Sequence, residues 1–142
     1  MFTCRLCTED DCMIWTKLNR EFMAGEIKDN KLWNDTDKAD NDQFEDTFFK
    51  ALKSKELISL MIFEEDGEPI GFANLMHIFS IWAHGKALVI DDLYLRIETR
   101  GKGYGRLALG FIEEYAEKTG CNRLQFQSEV TNPDAMKFYM AM

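Results

Sequence analysis

The sequence has little of what would place it in several common classes of protein. Its 142 residues include two prolines, and its apolar runs are no longer than strands; one of the longest, 57–63, has Ser59 inside it. These absences exclude a low-complexity chain and a membrane-spanning helix. Basic residues are also few, because 17 Lys and Arg face 25 Asp and Glu and give a net charge of −8. A chain this acidic is a poor candidate for binding nucleic acid, and we expect a cationic partner.

Cysteine is scarce and unevenly placed. Cys4, Cys7 and Cys12 lie within the first twelve residues, whereas Cys121 stands alone. The Cys4-x-x-Cys7 spacing is that of a metal-ligand pair, but there is no second pair, and alternation along a strand directs the two thiols to opposite faces. We therefore expect no metal site and no disulfide. Residues 1–9 lack the basic and apolar segments of a secretory signal, so the sequence predicts a cytoplasmic protein with no membrane partner.

The apolar residues, 46% of the chain, suffice for one hydrophobic core, so we treat 1–142 as a single domain. Their spacing predicts strands over 2–6, 57–63, 70–79, 87–97 and 123–129. It predicts helices after Thr8, after Asn41 or Asp42, after Arg106 and after Asn132. The order β, α, α, β, β, β, α, β, α is typical of an α/β or α+β layered sheet with helices packed on it.

The first helix has a clear apolar face. Ile14, Leu18 and Phe22 repeat at i, i+4 and i+8, which predicts that this face is buried. Three polar residues are predicted to face solvent: Lys17, Asn19 and Arg20.

The strand over 87–97 changes its pattern part-way. Apolar side chains occupy even positions up to Ile90 and odd positions from Leu93 onward. A change of parity at Asp91-Asp92 is what a β-bulge produces, so we expect both acids at a local distortion of the strand.

A glycine-rich basic segment lies between this strand and the next helix. Its residues are Arg100, Gly101, Lys102, Gly103, Tyr104, Gly105 and Arg106. Glycines let backbone amides approach a ligand closely, and a helix N-terminus attracts phosphate. With Arg96 and Glu98 the stretch carries +3, so we expect an anion to bind here rather than a plain basic helix start. It is neither a dinucleotide fingerprint, because Arg106 replaces the last glycine, nor a P-loop.

These residues resemble a known family. Arg100-x-x-Gly103-x-Gly105 after the strand 89–95, followed by an amphipathic helix and then Asn132 and Tyr139, is similar to the acyl-CoA binding region of the GNAT-type N-acetyltransferases. The resemblance implies a mixed, mostly antiparallel central sheet with helices on both faces. It also implies that acetyl-CoA is the co-substrate and that no metal takes part.

The resemblance assigns roles to particular residues. The backbone of Leu93, Tyr94 and Leu95 would hold the pantetheine arm, and the amides from Gly101 to Arg106 would hold the pyrophosphate. Asn132 would hydrogen-bond the cofactor arm. Tyr139 would lie at the thioester sulfur and give the departing thiolate its proton.

The resemblance also suggests an acceptor. In particular, 81–94 resembles the polyamine and small-amine branch of the family, in which paired acids precede the cofactor strand. Asp91 or Asp92 would orient a cationic amine and pass its proton to water, and we take Asp91 as the catalytic one. Further candidates for a cationic pocket are Trp33, Asp35, Asp37 and Trp82. The alternative is that the acids of 26–46 are simply solvated.

Other acceptors and one other class of protein stay open. An aminoglycoside, with several ammonium groups, suits the same acidic pocket, and an amine of a protein or basic peptide comes next. A CoA-binding module without turnover would keep the glycine-rich loop but would not need Tyr139. His77 and His84 lie near no nucleophile motif, so we expect structural or surface roles for them.

The sequence stops at Met142 inside its last predicted helix, where the family continues into a further strand. We expect either a clipped sequence or a domain without that strand. In the second case a partner chain would cover the exposed sheet edge, which predicts a homodimer.

Overall fold

A computed structural model describes residues 1–26 and 41–127. The strands are β1 (Phe2–Leu6), β2 (Ile58–Glu65), β3 (Glu68–Ser80), β4 (Gly85–Leu95) and β5 (Arg123–Phe126). The helices are α1 (Cys12–Glu26), α2 (Asn41–Lys53) and α3 (Tyr104–Lys118), with 3₁₀ turns at Glu9–Asp11 and Ile97–Thr99. The predicted element order is confirmed as far as β5, and the predicted last helix lies outside the described residues.

The five strands form one sheet in the order β1-β2-β3-β4-β5. Neighbours run antiparallel except β5, which is parallel to β4. The β2–β3 turn has positive φ at both Asp66 and Gly67, 53° and 84°, as a two-residue hairpin requires. The mixed, mostly antiparallel sheet that the sequence predicts is therefore confirmed.

Helices cover both faces of the sheet. Side chains of α3 such as Ile112 pack with Met61 and Leu88 on one face, and side chains of α1 and α2 such as Phe48 pack with Leu60 on the other. Leu60 and Met61 are neighbours in β2, so alternation alone sends them to opposite faces. Among the described residues, no helix is both long and apolar enough to cross a membrane.

The N-terminal end of the α1 segment is fixed by an early capping box. The backbone N–H of Thr8 donates to Asp11, 2.7 Å away, and the Thr8 side chain accepts from the first turn. The guanidinium of Arg5 in β1 binds the same carboxylate at two points, 2.7 and 2.9 Å. This ties the start of the helical segment to the sheet and holds the pKa of Asp11 below its usual range.

Several local predictions are wrong. The helix predicted after Arg106 begins at Tyr104, and the strand predicted over 123–129 ends at Phe126. Asn19 does not face solvent but is only 7% exposed, because its amide is hydrogen-bonded between α1 and the sheet. Ile97 does not continue the strand: β4 ends at Leu95, and Ile97, itself exposed, begins a 3₁₀ turn. Lys17 is exposed as predicted, and Arg20 is half-buried with its guanidinium over the Phe44 ring.

Candidate active site

The site begins at an irregularity in β4. Asn74 of β3 pairs with Asp92 and the next residue, Leu75, pairs with Ile90, so Asp91 is the extra residue of a bulge. The parity change in the sequence is therefore confirmed. Both acids are half-buried and stand directly before Leu93.

Beyond the bulge, β4 extends past its ladder with β5, as far as the described residues reach. The ladder with β5 covers Ala87 to Ile90 and ends with the Gln127 amide donating to the Ile90 carbonyl at 3.0 Å. On its other side β4 stays paired with β3 as far as Leu95. Residues 93–95 therefore lie beyond the part of β4 that β5 pairs with, where an extended ligand arm can add like a strand.

The side chains of this segment are already engaged. Leu93 and Leu95 are buried in the α3-side core. Tyr94 turns to the opposite face, where its hydroxyl donates to Glu21 of α1 at 3.2 Å, and burial with this carboxylate raises its pKa to about 12. What these three residues offer a ligand is their backbone, as the resemblance implies.

The glycine-rich loop leads into the N-terminus of α3. Gly101 and Gly103 have φ of 87° and 80°, a backbone conformation that residues other than glycine rarely adopt. Gly103 is the N-cap of this 15-residue helix, and within the described residues it has no side-chain cap hydrogen bond. The first-turn amides and the helix dipole fit a pyrophosphate group.

The charge of this region is lower than the sequence count suggests. Arg96 is held by Glu21 at 3.0 and 2.9 Å, and Lys102 lies 3.2 Å from Glu65, so the +3 count overstates the positive charge. The Tyr104 hydroxyl also donates to Glu65, and together with Lys102 it holds the pKa of that carboxyl below its usual value. Two further cations belong to the region: Arg100, whose Nε donates to the Leu95 carbonyl at 3.2 Å, and the exposed Arg106.

Asp92 belongs to a polar cluster that the sequence does not reveal. Its Oδ2 accepts from the Asn74 amide at 2.9 Å, and the same amide contacts Trp15 and Asn19 of α1. Local periodicity gives no sign of these contacts. The one sequence signal is that Asn74 interrupts the apolar alternation of β3.

The remaining predicted site residues are not seen at the polar cluster around Asp92, since one lies far from it and the others lie outside the described residues. Trp82 lies in the β3–β4 turn, 86% exposed. With about 3.4 Å per strand residue, it is roughly 20 Å along β4 from the bulge. Four predicted residues and Asp37 lie outside the described residues: Trp33, Asp35, Asn132 and Tyr139.

The remaining cysteine and histidine predictions concern structure. Cys4 packs on the α3-side core and Cys7 on the α1 side, as strand alternation predicts, and the thiols are free. His77 is buried, its Nε2 is 2.8 Å from Ser59 Oγ, and that oxygen is 2.6 Å from the Tyr115 hydroxyl. Burial lowers the pKa of His77, which fits a neutral structural role.

In the part of the chain that the structure describes, β4 extends past its ladder with β5, and a helix N-terminus led by glycine follows it. This arrangement fits the binding of an acyl-CoA. Comparison with known families agrees. The model described as the acetyltransferase (GNAT) family matches residues 17–142, and the chain belongs to this family.

Individual relatives are distant. The uncharacterized N-acetyltransferase YhfO of Bacillus subtilis is 32% identical over 94 residues, a match that spans 66% of this chain and 63% of that protein, less than two thirds of its length. A thialysine N-epsilon-acetyltransferase of Bos taurus is 27% identical over 139 residues, 94% of this chain and 78% of that one. A solved aminoglycoside N-acetyltransferase in complex with CoA has a TM-score of 0.76 at 14% identity, covers 99% of this chain and 86% of its own, and is evidence of the shared fold alone.

Proposed function

We propose that the protein is an acetyl-CoA-dependent N-acetyltransferase that transfers the acetyl group directly to a primary amine of a small cationic acceptor, a polyamine or diamine in particular. The main support is the arrangement on β4, where paired carboxylates at a bulge directly precede the backbone segment suited to the pantetheine arm. The similarity to a thialysine N-epsilon-acetyltransferase favours a small amine further.

Acetyl-CoA binding is assigned to the backbone of residues 93–95 and the amides of 101–106. The glycine N-cap supports the second assignment: among the described residues no side chain caps this helix, and first-turn amides have no acceptor within the helix itself. Asn132 is proposed to hydrogen-bond the cofactor arm, as the family resemblance implies.

Acetyl-CoA supplies a thioester, and the chain supplies the groups that move protons and stabilise charge. As the amine nitrogen bonds to the acetyl carbon, charge develops on the carbonyl oxygen, which a strand amide near Leu93 would stabilise. The carbon–sulfur bond then breaks, and Tyr139 gives its proton to the thiolate. The nitrogen of the new amide releases its extra proton to solvent, from which the phenol of Tyr139 is restored.

The acceptor must first lose a proton, because an alkylamine with a pKa near ~10.4 is mostly ammonium at neutral pH. Asp91 is proposed to orient the reacting ammonium and to pass its proton to water. Asp92 is proposed to bind the acceptor's positive charge. Trp33 and Asp35 remain predictions for the rest of a cationic pocket, whereas Trp82 lies too far from the bulge to share it. A cytoplasmic homodimer remains a prediction for the whole protein.

A panel of amines assayed with acetyl-CoA for thiol release tests the proposal. The panel holds spermidine, thialysine, lysine, a basic peptide, an aminoglycoside, and a diamine matched with a monoamine of equal length. We expect the diamine to be preferred, and Asp91→Asn and Asp92→Asn to raise its KM more than that of the monoamine. Preference for the aminoglycoside or peptide selects those acceptors instead. If calorimetry shows CoA binding but no amine of the panel is acetylated, the protein is a CoA-binding module without turnover.

A further inference from the structure

We propose that Asn74 is a positioning residue that fixes the Asp92 carboxylate for the acceptor amine, and that α1 holds Asn74 in place through Trp15 and Asn19. This inference rests on the proposed function, since it concerns how that acceptor site is kept in one geometry. It adds a helix and a strand residue to a site otherwise built from β4.

The Asn74 amide can take only one orientation. Its Oδ1 accepts from the Trp15 indole N–H at 3.0 Å, and its Nδ2 donates to Asn19 Oδ1 at 3.0 Å and to Asp92 Oδ2 at 2.9 Å. Both N–H groups and the carbonyl are used. A flipped amide would set its N–H group against the indole N–H and its oxygen against two acceptor oxygens, so all three contacts would become repulsive.

The helical end of the cluster is rigid. Trp15 and Asn19 are 4% and 7% exposed, and the Asn19 amide donates back to the Trp15 carbonyl one turn earlier at 2.7 Å. Hydrogen bonds screened from water are stronger, and a satisfied buried network specifies one arrangement of its members. The orientation set by α1 is therefore passed through Asn74 to Asp92.

Asp92 needs such a contact because of where it lies. It follows the extra residue of the bulge, and a bulge re-aims the side chains beside it. The contact from Asn74 Nδ2 to Asp92 Oδ2 at 2.9 Å restricts the Asp92 rotamer. A carboxylate fixed in this way selects acceptors by the spacing of their charges, so loss of the contact should act on diamines more than on monoamines.

Two variants test the proposal against one matched control. Asn74→Leu removes the donor to Asp92 and keeps the number and branching of the side-chain heavy atoms. Trp15→Phe removes the indole N–H that orients the amide, together with part of a buried ring. Ser59→Ala breaks a buried hydrogen-bonded group on the opposite face, Ser59–His77–Tyr115, and reports the effect of lost stability alone.

We expect Asn74→Leu to raise the KM for the diamine about tenfold with kcat within about twofold of the wild type, and Trp15→Phe to act in the same direction by about threefold. Ser59→Ala should leave the diamine-to-monoamine ratio of kcat/KM unchanged. If Asn74 acts through Asp92, the double variant Asn74→Leu/Asp92→Asn should be no worse than Asp92→Asn alone.

The outcomes separate the two proposals. Suppose that the wild type turns over and that Asp92→Asn is impaired. The positioning role alone is then overturned if Asn74→Leu and Trp15→Phe keep the wild-type diamine-to-monoamine ratio of kcat/KM. It is also overturned if their effects on this ratio add fully to that of Asp92→Asn. If Asn74→Leu does not fold, Trp15→Phe decides by the same ratio. Failure of the wild type to acetylate any amine of the panel overturns the proposed function, and this inference with it.

Discussion

Arg96, directly after β4, donates two hydrogen bonds to Glu21 of α1, with Nε 3.0 Å from Oε1 and Nη2 2.9 Å from Oε2. Both side chains are largely buried, at 17% and 31% exposure. The contact joins the helix to the sheet where the glycine-rich segment begins. The guanidinium holds the pKa of Glu21 below its usual value.

Glu21→Gln should lower the free energy of unfolding at pH 7 by about 1 kcal/mol, because a two-point, partly buried pair exceeds an exposed one. The carboxylate pKa is lowered by folding, so the pair's contribution is present above about pH 4.5 and is lost as the pH falls through the lower folded value. Urea unfolding between pH 7 and 3 should therefore give a smaller loss of stability with acid in Glu21→Gln than in the wild type.

The matched control for this pair is the exposed pair Lys50–Asp46 within α2. Asp46→Asn should leave the free energy of unfolding close to that of the wild type, because the pair is exposed to solvent. If Asp46→Asn and Glu21→Gln change the free energy of unfolding equally, the two-point contact of Arg96 with Glu21 adds no stability beyond that of an exposed ion pair.

Gly103→Val should abolish acetyl-CoA binding measured by calorimetry. A Cβ at Gly103 meets no protein atom within 4 Å, so the space it takes lies outside the protein, at the N-terminus of α3. Gly120, beyond the other end of the same helix, has a similar φ of 76° and an equally open surrounding. Gly120→Val therefore carries the same backbone strain of about 1–2 kcal/mol and should bind acetyl-CoA normally. If Gly103→Val binds acetyl-CoA normally, the glycine-rich loop is not part of the cofactor site.

The sequence predicts features whose cause is local and misses those whose partner is distant. The bulge at Asp91 follows from the parity of one strand, and the glycines at 101 and 103 follow from one loop. Asn19 is misplaced because its partner, Asn74, lies 55 positions away. The charge of the loop is overestimated for the same reason, since Arg96 is paired with a residue 75 positions away. Helix periodicity reports which face is apolar, but not which polar residue finds a buried partner.

His77 should make stability depend on pH in a window above that of the carboxyl groups. Burial keeps its pKa below the ordinary 6.5, so as the pH falls below about 6.5 the unfolded chain takes up a proton that the folded one does not. Stability is therefore full above this pH and declines below it until the folded ring also protonates. Urea midpoints at pH 7.5 and 5.5 should differ less in His77→Gln than in the wild type. His84 is an exposed turn residue, and His84→Gln should keep the wild-type difference between the two urea midpoints. If His84→Gln reduces this difference and His77→Gln does not, the pH dependence does not come from His77.

Tyr139→Phe should separate binding from chemistry. If the phenol gives its proton to the departing thiolate, its loss should lower kcat about a hundredfold or more, the range of general acid catalysis, with little change in acetyl-CoA affinity. Tyr115→Phe is the matched control, because it removes a hydroxyl bonded to Ser59 in the α3-side core. That variant should lose some stability and keep its kcat. Single-turnover thiol release and acetyl-CoA calorimetry on both variants give the comparison, and an unchanged kcat in Tyr139→Phe would assign the acid to another group.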